Sequence, residues 1–141
     1  MNSREHGLEQ AFRALRLGIG LMAFLAGLDK FTNLLADWPG YVSPAAAMLP
    51  VSTALAMKAV GVIEMAVGLA ILARWTRPAA YVGAAWLLLV AGNLVLAGFY
   101  DVAVRDVILS LAAFALGRLA AWREAVVREE EPAGQTAPAR A

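Results

Sequence analysis

Lys58-Ala-Val-Gly61-Val-Ile-Glu64-Met-Ala-Val-Gly68 sets a lysine and a glutamate inside an apolar run from Val51 to Ala73. A run of about 20 apolar residues is enough to cross a bilayer. On a helix, Ala54, Met57, Lys58, Gly61, Glu64 and Gly68 share one side. Gly61 and Gly68 flank Glu64 there, so a second helix can come close. Lys58 and Glu64 each cost roughly 2.5–3.5 kcal/mol at mid-membrane, and each Leu, Ile or Val returns about 0.3–0.6 kcal/mol. The segment is therefore nearly balanced alone and needs neighbours. Its carboxylate requires a partner, a hydrogen bond or a proton. Lys58 lies about 120° round the helix from Glu64, so the partner is expected from another helix.

The whole chain has the same character. Its 141 residues are 61% hydrophobic, with a mean hydropathy of +0.65, which is the composition of a membrane protein. A net charge of +1 says little about partners. There is no cysteine, which removes thiol redox chemistry, disulfides and thiolate metal sites within the chain. The single histidine, His6, gives no basis for a haem or transition-metal site. No phosphate loop, nucleophile elbow or basic-aromatic nucleic-acid surface is present, so no nucleic-acid partner is expected.

Residues 1–10 are polar. Four membrane helices are predicted over 11–35, 51–73, 79–99 and 103–122, giving an all-α integral membrane four-helix bundle. A charged segment follows, and Pro132 to Ala141 is too poor in apolar residues to fold. The charged start and short apolar core of the first helix also fit a signal peptide. Leu28-Asp29-Lys30-Phe31 does not resemble a small-residue cleavage site, however, and the apolar pattern runs on.

Arg16, Gly20, Ala23, Gly27 and Lys30 share one side of the first helix, while Asp29 points elsewhere. The loop Asp37–Pro50 holds three prolines, and Ser43-Pro44 can cap a short helix through Met48. Trp38 and Tyr41 suit a headgroup zone better than a ligand-stacking role. Ala79, Gly83, Trp86, Val90, Asn93 and Ala97 line one side of the uncharged third helix. Asn93 is expected to make an interhelical hydrogen bond worth about 0.6–2 kcal/mol. In the fourth helix, Asp106, Ser110, Ala113, Gly117 and Ala120 form a small-residue packing stripe with a carboxylate at its outer end.

Arginine placement sets the orientation. Arg4, Arg13, Arg16, Arg74, Arg77, Arg118, Arg123 and Arg128 gather at one end, and the loop from Phe31 to Pro50 has no Lys or Arg. Both termini are therefore expected in the cytoplasm, in a cell's inner membrane. Depth along the helices suggests that Glu64 pairs with Arg118 or Arg16. Asp106 is the expected counter-ion of Lys58 or Lys30, with Asp29 as second choice. Such pairs can simply fix helix register, and Lys30 and Arg105 lie within snorkelling reach of water.

Gly27-Leu-Asp-Lys30-Phe31, Val60-Gly61-Val-Ile-Glu64-Met-Ala-Val-Gly68, Arg77-Pro-Ala-Ala-Tyr81 and Tyr100-Asp-Val-Ala-Val-Arg105-Asp106 occur in that order. In these pieces, spread over about residues 12–120, the chain resembles the DoxX-like family of small four-helix membrane proteins. The resemblance implies association with membrane oxidoreductase assemblies, including thiosulfate oxidation that feeds electrons to quinone and complexes that handle thiol or oxidant stress. Other members resemble assembly factors. It implies no agreed catalytic residues, and it marks Lys30, Glu64, Arg105 and Asp106 as site candidates.

The expected function is a non-catalytic membrane subunit or anchor of a redox, quinone-linked assembly. Lys58, Trp86 and Asn93 are candidate liners of a quinone site. Its expected partners are the lipid bilayer, a membrane or peripheral redox protein, or further copies of itself. An assembly factor or chaperone docking through residues 123–131 is the alternative. A small transporter or proton pathway through Glu64, Lys58 and Asp106 is less favoured, because the third helix is uncharged and no inverted repeat is visible. An enzyme acting alone is favoured least.

Overall fold

The computed structural model describes residues 3–130, and every regular element in them is helical. In order they are α1 (Ser3–Asp29), a 3-10 turn at Trp38–Tyr41, α2 (Pro44–Ala47), α3 (Thr53–Leu72), α4 (Thr76–Leu96) and α5 (Tyr100–Glu130). Three of them are long and apolar enough to cross a membrane: Arg4–Asp29, Thr53–Leu72 and Thr76–Leu96. The all-α class read from the sequence holds, with the short α2 as a fifth helix. The expectation for Pro132–Ala141 falls outside the described residues.

Helix ends follow from local chemistry. Where the sequence predicts a first helix over 11–35, α1 starts at Ser3 and stops at Asp29. The stop is made by the Asp29 carboxylate. Its Oδ1 accepts from the Leu34 amide (2.8 Å) and the Thr32 hydroxyl (2.8 Å). Its Oδ2 accepts from the amides of Leu35 (3.0 Å) and Ala36 (3.2 Å) and from the Trp38 indole (2.8 Å). The chain can wrap this anion only by leaving the helix, and Asn33 turns it at φ 51°. Asp29→Ala should therefore loosen residues 30–38 and speed proteolysis there, while the helical content of the other segments stays unchanged by circular dichroism.

At the far end of α4, Gly98 adopts φ 85°. The Phe99 amide donates to Leu94 O (2.9 Å) and the Gly98 amide to Val95 O (3.1 Å), a Schellman closure that only glycine enters without strain. Ser43 and Ser52 cap α2 and α3 through their hydroxyls.

The last carbonyls of α3 are taken up by two side chains. Arg16 donates to the oxygens of Ile71, Leu72 and Ala73, and the Thr76 hydroxyl donates to Ile71 O (2.8 Å). A guanidinium there also meets the negative end of the helix dipole.

The long helices meet in a closed ring, α1 on α3, α3 on α4, α4 on α5 and α5 on α1. Two contacts are tight. Gly27 faces Gly61, and Gly68 faces the backbone of Gly20 and Phe24, so α1 and α3 touch backbone to backbone. On α5, the stripe Asp106, Ser110, Ala113, Gly117 and Ala120 is buried, and Ser110 donates to Ala84 O of α4 (2.8 Å). Tyr81 of α4 lies over Gly117 and meets Phe114 edge-on at 5.7 Å.

The dry core sits toward the end where α1 begins. Phe12, Ile19, Ile71, Ala80, Ala113 and Leu116 are buried together there. Small side chains let the helices close in that half. In the other half α1 and α3 still touch at Gly27 and Gly61, while larger and polar side chains from α4 and α5 border a space between the helices.

Candidate functional site

That other half contains a cavity of about 150 Å³. It is reached by Lys30 from the end of α1, Glu64 from α3, Trp86 and Asn93 from α4, and Arg105 and Asp106 from α5. Most of its wall is aliphatic. Trp38 and Tyr41, in the loop after α1, complete its lining.

The centre is an ion pair. Lys30 Nζ lies 2.5 Å from Glu64 Oε2, with the two side chains 5% and 12% exposed. The second Glu64 oxygen faces the Trp86 indole N–H at 3.4 Å. Lys30 also approaches Ala26 O (3.5 Å) and sits 3.6 Å from the centre of the Trp38 ring. The Gly27–Gly61 contact makes this pairing possible. It sets the end of α1 beside the middle of α3; the two helices run antiparallel, and the Lys30 side chain reaches back past Ala26 O to meet Glu64.

The expected partners of Glu64 were Arg16 or Arg118; the structure pairs it with Lys30 instead. Arg16 is level with residues 71–73, roughly 10 Å further along α3 than Glu64, and is engaged by carbonyls. Arg118 is exposed on α5.

Asp106 likewise takes neither Lys58 nor Lys30. Its Oδ1 accepts from Nε (3.1 Å) and Nη2 (3.0 Å) of the adjacent Arg105. Asp106 is 6% exposed and Arg105 60%, so a surface guanidinium reaches back over a buried carboxylate. Lys58 is exposed and does not reach the cavity. The interior face of α3 is set by Met57, Val60, Glu64, Val67 and Ile71, and Lys58 lies beyond its edge. Asp29 is occupied by the loop it organises.

Asn93 bonds to the loop, not to another helix. Its Oδ1 accepts from the Ser43 amide (3.0 Å), and its Nδ2 donates to Tyr41 O (2.8 Å). Tyr41 in turn meets Phe99 edge-on at 4.8 Å. One amide thus pins the cover of the cavity to α4. Asn93→Leu leaves a backbone donor and acceptor without partners and should cost about 1–3 kcal/mol in unfolding titrations, with faster cleavage of residues 36–43.

Trp38 and Tyr41, read from the sequence as interface anchors, are walls of the site. The signal for this was the polar cluster Asp29, Thr32 and Asn33, which fits a turn better than a continuing helix.

Chemically the cavity is apolar with polar points. Lys30 supplies N–H donors, Asp106 a carboxylate acceptor, and Trp38 and Trp86 ring faces and edges. A space of this volume holds about one aromatic ring. No family model matches the chain, and neither curated proteins nor solved structures yield a similar one. Fold and site define an all-helical protein with three membrane-length helices and a buried lysine–glutamate pair at an internal cavity.

Proposed function

We propose that the chain is a four-helix integral membrane protein of the DoxX-like kind, with both termini cytoplasmic. It serves as a non-catalytic membrane subunit or anchor of a redox assembly and receives a quinone ring in the cavity. The buried Lys30–Glu64 pair beside a ring-sized space carries this reading. Charged groups at such depth are rare without a purpose.

α5 is taken as the fourth span because its buried face meets α1 and α4, two helices of membrane length. Asp101, Arg105 and Asp106 near its start, Arg118 within it and the charged run from Arg123 to Glu130 account for its lower apolar character. The arginines of residues 4–16, 74–77 and 118–128 support a cytoplasmic position for the dry half of the bundle, by the positive-inside rule.

A quinone ring would lie between Trp86 and the Trp38–Tyr41 cover. Lys30 would donate to one carbonyl oxygen, and Asp106 would accept from a hydroxyl of the reduced form. A bound quinone supplies the electron-carrying ring. The chain's own residues bind it, orient it and exclude water.

Purification in mild detergent, followed by mass spectrometry of the extracted lipids and co-purifying proteins, tests this. Retained quinone together with a redox partner is expected, and Val90→Phe, which fills the cavity, should abolish the quinone signal. Recovery of an immature membrane protein without quinone would point to an assembly factor instead.

A further inference from the structure

At the opposite end of the molecule lies a second, larger cleft of about 560 Å³. Arg16, Arg74, Arg77, Arg123 and Arg128 line it against a single carboxylate, Glu124. The acids nearby are already engaged. Glu124 Oε2 pairs with Arg77 (2.9 Å), and Glu9 pairs with Arg13 (2.9 Å) and Arg123 (3.1 Å). Arg16 is spent on the carbonyls ending α3. Arg74 and Arg128 have no ion-pair partner among the described residues, and both face the cleft.

The floor is apolar, with Phe12, Ala73, Ala120 and Val127. Trp75, in the same turn as Arg74, is 67% exposed. Phosphodiester oxygens suit guanidinium forks, and an exposed tryptophan beside an apolar floor suits the glycerol and upper acyl region of a lipid. Basic pockets between helices on the cytoplasmic side favour anionic headgroups.

We infer that this cleft binds the phosphate of an anionic phospholipid, with Arg74 and Arg128 as its principal ligands. The inference rests on the membrane reading but not on the quinone site. A lipid phosphate is favoured over free phosphate because three membrane-length helices have ends here and the floor offers apolar surface.

The test follows the thermal midpoint of the full chain in neutral detergent. It is titrated with short-chain phosphatidylglycerol, with short-chain phosphatidylcholine, and with inorganic phosphate at matched ionic strength. A saturable rise with phosphatidylglycerol alone is expected. Arg74→Gln with Arg128→Gln should weaken its apparent affinity about 30-fold, from two cationic contacts of similar worth. Arg118→Gln, an exposed arginine outside the cleft, should leave it unchanged. An undiminished response in the double variant, or an equal one to phosphatidylcholine, overturns the proposal. An equal response to inorganic phosphate overturns the lipid assignment. Carbonate extraction of membranes from cells that express the chain tests the membrane reading separately.

Discussion

Lys30→Met should be among the most damaging single substitutions in this chain. It removes the ammonium 2.5 Å from Glu64 and leaves that carboxylate with only a 3.4 Å contact from Trp86. Breaking a buried pair from one side costs about 3–5 kcal/mol, because the remaining charge keeps its desolvation penalty. Glu64→Leu should act similarly from the other side, stranding the lysine. The double variant should recover most of the loss, since an apolar pair of similar volume often matches a buried ion pair. Denaturant titrations in detergent, followed by circular dichroism, read all three variants. If the single losses add in the double variant, the two residues are not coupled and the pairing is refuted.

The second large effect belongs to the α1–α3 contact. A Cβ on Gly27 would stand 2.5 Å from Gly61 O and 2.8 Å from Met65 N, and one on Gly68 would stand 2.6 Å from Phe24 N. Those atoms are backbone and cannot swing aside. Gly27→Val and Gly68→Val should each cost about 1–3 kcal/mol or more from overpacking. They should also draw Lys30 away from Glu64, since the same contact sets their level. Gly18 and Gly92 are the controls, with nothing within 4 Å of an added Cβ. Alanine at either should be neutral or stabilising by up to about 1 kcal/mol, through helix propensity. Equal losses at Gly27 and Gly92 in the same unfolding assay would contradict the close approach.

Much of this arrangement was legible in residue spacing. The stripe Arg16, Gly20, Ala23, Gly27 and Lys30 does face α3, and Gly61 and Gly68 do meet it, because small residues at helical spacing have one obvious use in an apolar chain. The interior face of α4 was also readable from Gly83, Trp86, Val90 and Asn93.

The pairings were not readable, for a geometric reason. Depth along the sequence treats the helices as spanning together, but Asp29 ends α1 early and its tip lies beside the middle of α3. Lys30 therefore meets Glu64, although simple counting separates them. Asp106 was matched across helices, whereas its partner is the next residue, Arg105. Trp38 and Tyr41 became cavity walls because the loop folds inward around Asp29 and Asn93, both long-range consequences of side-chain hydrogen bonds. Spacing alone reports none of these.

On the proposed reading, the space beside Lys30 and Glu64 receives a quinone ring. The tryptophans make it directly measurable. Trp38 and Trp86 line the cavity, while Trp75 and Trp122 do not. Replacing Trp75 and Trp122 by phenylalanine leaves only reporters at the site. Titration with a short-chain benzoquinone should then quench the fluorescence saturably, and adding Val90→Phe should leave only weak, linear quenching. Linear quenching of equal slope with and without Val90→Phe would show that the ring does not bind there.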